Sequence, residues 1–158
     1  MQNQPDPVMH RAAAGLAAAQ RGDRAGARSI FDELWVGIGG DEGDPFHRCA
    51  IAHWMADVQD DPKDELEWDL RALDAAGSVT DARVADAGMP GPASALHPSL
   101  HLNLADVYLR LDDEERSRAH LEMGRSTIGS LPDDGYAAMI RDGFDRVEQQ
   151  LGRPSQQA

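Results

Sequence analysis

Apolar positions recur at helical spacing along most of this chain, and the breaks between them are short and rich in Asp, Gly and Pro. Three helix–turn–helix units follow from that pattern. The first runs from about Pro7 to Trp35 and turns at Gly22-Asp23. The second runs from about Asp44 to Ala76 and turns at Asp60-Asp61-Pro62, where Pro62 suits the first turn of the helix it opens. The third opens at Pro98, turns at Asp112-Asp113 and ends near Ile128. A last helix after "LPDD" carries Tyr136, Ile140, Gly143, Phe144, Val147 and Leu151 on one stripe. Arg141, Asp142, Asp145 and Glu148 lie opposite, the pattern of a helix that closes the end of a stack.

The expected architecture is therefore all-α: about seven helices in one domain over residues 7–151, with disordered ends at 1–6 and 152–158. Two separators interrupt it. One is "GIGGDEGDP" (37–45); the other, 77–97, is rich in Gly, Ala and Pro, with a candidate helical turn around Asp81 to Ala87. A segment as long as the second is either a functional loop or partly disordered.

Composition narrows the function. Of the 158 residues 41% are hydrophobic but only 5% aromatic, which suits a helical core of Leu, Ala, Val, Ile and Met. The formal charge of −13 argues against a nucleic-acid duplex or an anionic membrane as the main partner, since both demand a basic footprint. A basic or neutral partner is easier to accommodate. Cys49 is the only cysteine, which excludes an internal disulfide and fits a reducing compartment. No apolar run approaches a membrane span and no signal segment is evident, so a cytoplasmic location is expected.

The units carry a family resemblance. Gly15, Ala27 and Phe31 in the first, and Leu104-Ala105-x-x-Tyr108 followed by Ser117 and Leu121 in the third, fit the pattern of tetratricopeptide repeats (TPR). Gly15 to Ala27 and Ala105 to Ser117 share a spacing of twelve residues. Corresponding positions recur after 38 and then 52 residues, where the family repeats after about 34. The chain thus resembles a degenerate, interrupted TPR array over residues 8 to 128.

That resemblance implies a non-enzymatic adaptor or regulator that binds a partner peptide or helix in a concave groove. In its register Asn103, Asp106 and Arg110 form a polar strip on the inner face of the third unit, and Trp54 lies at the groove edge as an apolar contact. The competing reading of the strip is a solvated helix face with a local Asp106–Arg110 pair. The comparable face of the first unit offers Ala12, Ala13, Leu16 and Ala19, so a clamp for a terminal carboxylate is incomplete. An apolar helical or extended segment is the better ligand. Self-association through the inner faces is a further option.

The stretch "HWMADVQDDPKDELEWD" (53–69) supplies the alternative. In the twelve-residue register His53 stands opposite Glu65, with Asp57 and Asp69 near by. On both helices these residues fall between two apolar arcs, so two buried polar stripes are expected to face each other. Buried carboxylates need partners. A raised carboxyl pKa, an inward-reaching Arg48 or Arg110, or a ligand would complete the set. The cluster is either a satisfied network that sets helix pairing or a small-ligand or metal-binding pocket.

Catalytic readings are weaker. Cys49, His53 and Asp57 align a nucleophile, a base and an orienting acid at i, i+4 and i+8, but nothing supplies an oxyanion hole. A metal set of Cys49, His53, Asp57, Glu65 and Asp69 lacks any ligand-spacing signature. No phosphate loop, dinucleotide fingerprint or kinase motif occurs, so no enzyme, cofactor or metal is expected. Of the remaining histidines, His97 reads as a helix cap and His101 as a core residue. Arg116, Arg118, His120 and Arg125 read as a solvated basic face.

Overall fold

A computed structural model describes residues 4–152. Among these the fold is all-α: eight α-helices and three short 3-10 turns, with no strand. The helices are α1 (Pro7–Gln20), α2 (Arg24–Gly37), α3 (Pro45–Asp57), α4 (Pro62–Ala76), α5 (Asp81–Asp86), α6 (His97–Arg110), α7 (Glu114–Thr127) and α8 (Gly135–Leu151). The expected disordered ends fall partly outside the described residues, at 1–3 and 153–158; Asp6, within the first of them, caps α1.

Aspartate starts most of these helices. Asp6, Asp23, Asp44, Asp61, Asp113 and Asp134 each accept a backbone N–H of the first helical turn through the side chain. The carboxylate satisfies an orphan donor and sits at the positive end of the helix dipole. Pro7, Pro45 and Pro62 follow directly, at a position where no N–H is needed. Part of the net negative charge is thus spent on helix starts. The turns after α1 and α6 share one geometry. Gly22 (φ +82°) and Asp112 (φ +62°) are left-handed, and the next N–H, of Asp23 and Asp113, reaches back 2.9 Å to the carbonyls of Ala18 and Tyr108.

The chain divides into two compact units between Met89 and Pro90. In the first, α1 packs along α2 and α3 along α4, while α2 and α1 also contact α3. Its core joins Phe31, Leu34, Ile51, Met55 and Val58, flanked by Trp35, Trp54 and Trp68. Trp35 and Trp68 meet edge-on at 5.1 Å, and the Arg71 guanidinium lies 4.4 Å over the Trp68 ring.

In the second unit α6 pairs with α7, and α8 packs on both. Phe144, Ile140, Val147 and Leu151 of α8 join Ala105 and Leu121 in its core. Two helical positions chosen by the twelve-residue register do meet here. Ser117 Oγ donates to the Ala105 carbonyl at 2.7 Å, with both residues fully buried.

The segment 77–97 is not without regular structure. It holds α5, with Val84 buried, and a 3-10 turn over Ala93–Leu96 that leads into α6. Thr80 caps α5, as the "TDAR" start allows.

Candidate functional site

The four residues of the central stretch differ in environment. Asp69 of α4 is 0% exposed, His53 of α3 and Glu65 of α4 are half-buried, and Asp57 is exposed. Two fully buried polar stripes are therefore not what forms. Asp57 is the last residue of α3 and is exposed there. Burial lowers the basicity of His53, against the opposing charge of Asp57, so its imidazole favours the neutral form. Arg48 extends to Asp74 at 3.7 Å, and Arg110 binds Asp106 in the second unit.

Cys49 packs in the α3 interior at 4% exposure, and burial pushes its thiol up to about 12. A thiol so disposed supplies no thiolate nucleophile near neutral pH. Among the described residues, no group of three or more His, Cys, Asp or Glu is placed to hold a metal ion.

The polar strip on α6 resolves into two parts. Asn103 and Asp106 line a cleft of about 280 Å³ together with Leu102 and, from α8, Gly143, Arg146, Val147 and Gln150. At Gly143 α8 comes close to α6: a Cβ there would fall 2.5 Å from Leu102 Cδ2. Arg110 lies one turn beyond, exposed, and its Nε donates to Asp106 at 3.0 Å. The cleft thus offers an amide, an acid, a guanidinium and a second amide beside Leu102, Gly143 and Val147.

Trp54 stands in a second cleft, in the first unit, of about 240 Å³. Leu16, Ala19 and Gln20 of α1, Phe31 of α2, and Asp57 and Val58 complete its lining. The Trp54 ring stacks on Phe31 at 6.2 Å, which holds the indole as one wall. Leu16 and Ala19 are the inner-face residues of the first unit singled out in the repeat register.

Arg146 and Gln150 escaped the sequence reading, which divided α8 into an apolar stripe and a charged back. Gly143 inside that stripe was the available signal, since a residue without a side chain marks close helix approach.

A second polar assembly was also missed. Asp6 and Asp44, the caps of α1 and α3, converge with His47 and with Arg83 of α5. His47 Nε2 lies 2.7 Å from Asp6 Oδ2, and Arg83 Nε donates to both Asp44 oxygens at 3.1 and 3.2 Å. Arg83 also lies 4.8 Å over the Phe46 ring. Burial acts to raise both carboxyls. His47 and the first-turn N–H groups at Asp6, and Arg83 and the His47 N–H at Asp44, outweigh it and hold both below the usual carboxylate value. This assembly fastens α5 to two helix starts.

Two further expectations need correction. His97 does not cap α6; it is the first helical residue, and its ring stacks on His101 at 6.1 Å. The basic face of α7 is not simply solvated. Arg125 binds Asp145 and Glu148 of α8, each at 2.8 Å, and His120 turns into the α6–α7 interface. Arg116 and Arg118 pair locally with Asp113 and Glu114.

No helix among the described residues is long and apolar enough to cross a membrane. No family model, no curated protein and no solved structure matches the chain.

Proposed function

We propose that this chain is a non-enzymatic, TPR-like interaction module that binds an extended segment of a cytoplasmic partner protein. The observation that carries the reading is the cleft between α6 and α8, where Asn103 and Asp106 face Arg146 and Gln150 over Leu102, Gly143 and Val147. Paired amides and one charge of each sign suit the backbone of a bound strand, and Leu102 and Val147 add apolar lining. The buried, protonated state favoured for the Cys49 thiol supports a binding role over nucleophilic catalysis. Trp54 and its cleft supply an apolar contact within the first unit. The net charge of −13 favours a basic or neutral segment.

A second reading, a small-ligand module at His53, Asp57, Glu65 and Asp69, draws support from Asp57, which lines the Trp54 cleft.

The test is selection of binders from a random peptide library, followed by amide shift mapping on the full chain. Binding in the α6–α8 cleft perturbs residues 102–106 and 143–150, and Asn103→Ala combined with Arg146→Ala abolishes it without loss of helicity. Perturbations centred on 53–69 would transfer the function to the second reading. Library selection without enrichment would sink the first reading.

A further inference from the structure

The α6–α7 interface holds an unusual group of rings. His101 Nδ1 and His120 Nδ1 lie 3.1 Å apart, one donating its proton and the other accepting on its lone pair. Their rings stack at 5.4 Å with 29° between planes. His97 stacks on the outer side of His101, and Tyr108 lies nearly parallel to His120 at 5.5 Å. His101 is 6% exposed. The packing around it is tight. A Cβ on Gly124 of α7 would stand 3.1 Å from His101 Cβ and 2.3 Å from Phe144 Cζ of α8, which leaves little room for a hydration shell.

Such a pair tolerates protons poorly. A first extra proton on the donor ring leaves the N–H···N bond in place but puts a charge into the interface. A second gives both Nδ1 atoms a hydrogen and sets two donors against each other at 3.1 Å. The surroundings offer no compensation. From α6 the neighbours are His97 and Tyr108; from α7, Arg116 stands 6.0 Å from the Tyr108 ring and is itself bound to Asp113. On the α8 side Phe144 packs there, and Asp145 and Glu148 are engaged by Arg125. The 3-10 turns at Ala93–Leu96 and Ile128–Ser130, which also contact these helices, contain no titratable side chain. No carboxylate is among the groups that act on either imidazole.

We propose that the His101–His120 pair is an acid-operated latch: neutral, it closes the α6–α7 hairpin, and doubly protonated it drives the two helices apart. Basicity follows the same direction. Burial first, then the charges of His120 and His97, lower His101 to about 4, and burial lowers His120. Both pKa values lie below the ordinary 6.5, so the latch holds fully above that pH and weakens as pH falls toward about 4.

The experiment follows amide hydrogen exchange of the full chain at about pH 7 and about pH 4.5, corrected for intrinsic rates, beside imidazole titrations by NMR. Wild type should lose roughly tenfold or more protection over 97–127 at the lower pH, and His120→Gln less than about twofold. Equal losses in the two proteins would overturn the latch, as would a His101 that titrates at or above the ordinary histidine value. If His120→Gln does not fold, the wild-type titration decides. Protection over 97–127 that falls in step with His101 protonation supports the latch, and protection that stays constant through that protonation overturns it.

Discussion

Gly15 of α1 lies directly against the ring of Phe31 of α2: a Cβ on Gly15 would fall 2.6 Å from Phe31 Cε1. Phe31 is fully buried and stacked on Trp54, so its ring can shift only against that indole. Gly15→Ala brings a helix-propensity gain of about 1 kcal/mol. Overpacking costs about 1–3 kcal/mol and wins. Net destabilisation of about 1 kcal/mol is expected by urea titration, and Phe31→Leu in the Gly15→Ala background should recover part of it. A more stable Gly15→Ala would show that α1 and α2 are not in close contact there.

Arg83 fastens α5 to the starts of α1 and α3 through Asp44, Asp6 and His47. These groups are partly exposed, so Arg83→Ala should cost only about 1 kcal/mol at neutral pH, less at high salt. The folded-state pKa values of Asp6 and Asp44 lie below 3.8. Their contribution is therefore present above that pH and lost as pH falls through the folded values. Wild type and variant should converge in stability only once pH has fallen below those folded values. A gap that persists at acid pH would mean that Arg83 acts through packing on Phe46.

Cys49 should be inert in the native protein. With a thiol raised to about 12 and 4% exposure, it should react with a disulfide reagent at neutral pH only through opening of the α3–α4 pair. Labelling is expected to accelerate by roughly a hundredfold or more in urea above the unfolding midpoint. Prompt native-state labelling would reopen the case for a reactive cysteine.

His53→Ala should lower the melting temperature by several degrees, the equivalent of about 1–3 kcal/mol, whether or not zinc is added. Burial lowers the pKa of His53 from 6.5, so wild type loses stability as pH falls below that value and the variant loses less. Tryptophan emission is the suitable probe, because Trp35, Trp54 and Trp68 all lie in the first unit. A variant as stable as wild type, or one whose zinc response differs from it, would make the 53–69 cluster the leading functional site.

Helix positions were legible because their causes are local. Apolar spacing, aspartates that can cap, prolines at first turns and the Gly22-Asp23 and Asp112-Asp113 turns all act within a few residues, so the boundaries of α1 to α4 and α6 to α8 follow from the sequence closely. The meeting of Ala105 with Ser117 was also readable, since a short turn between two helices sets which small residues face each other.

Pairings beyond one hairpin were not readable. Arg146 and Gln150 share a cleft with Asn103 and Asp106 only because α8 lies close against α6 at Gly143. Arg83 reaches Asp44 and Asp6 only because α5 folds back to two helix starts. Asp57, at the end of α3, is exposed, while Asp69, which also falls between two apolar arcs in sequence, is fully enclosed. Periodicity reports which face of a helix is apolar; the rotation and offset of one helix against another are set by the summed packing of many side chains. The sequence alone therefore determined the helices and their hairpins, and the packing between hairpins decided which polar groups came to share a site.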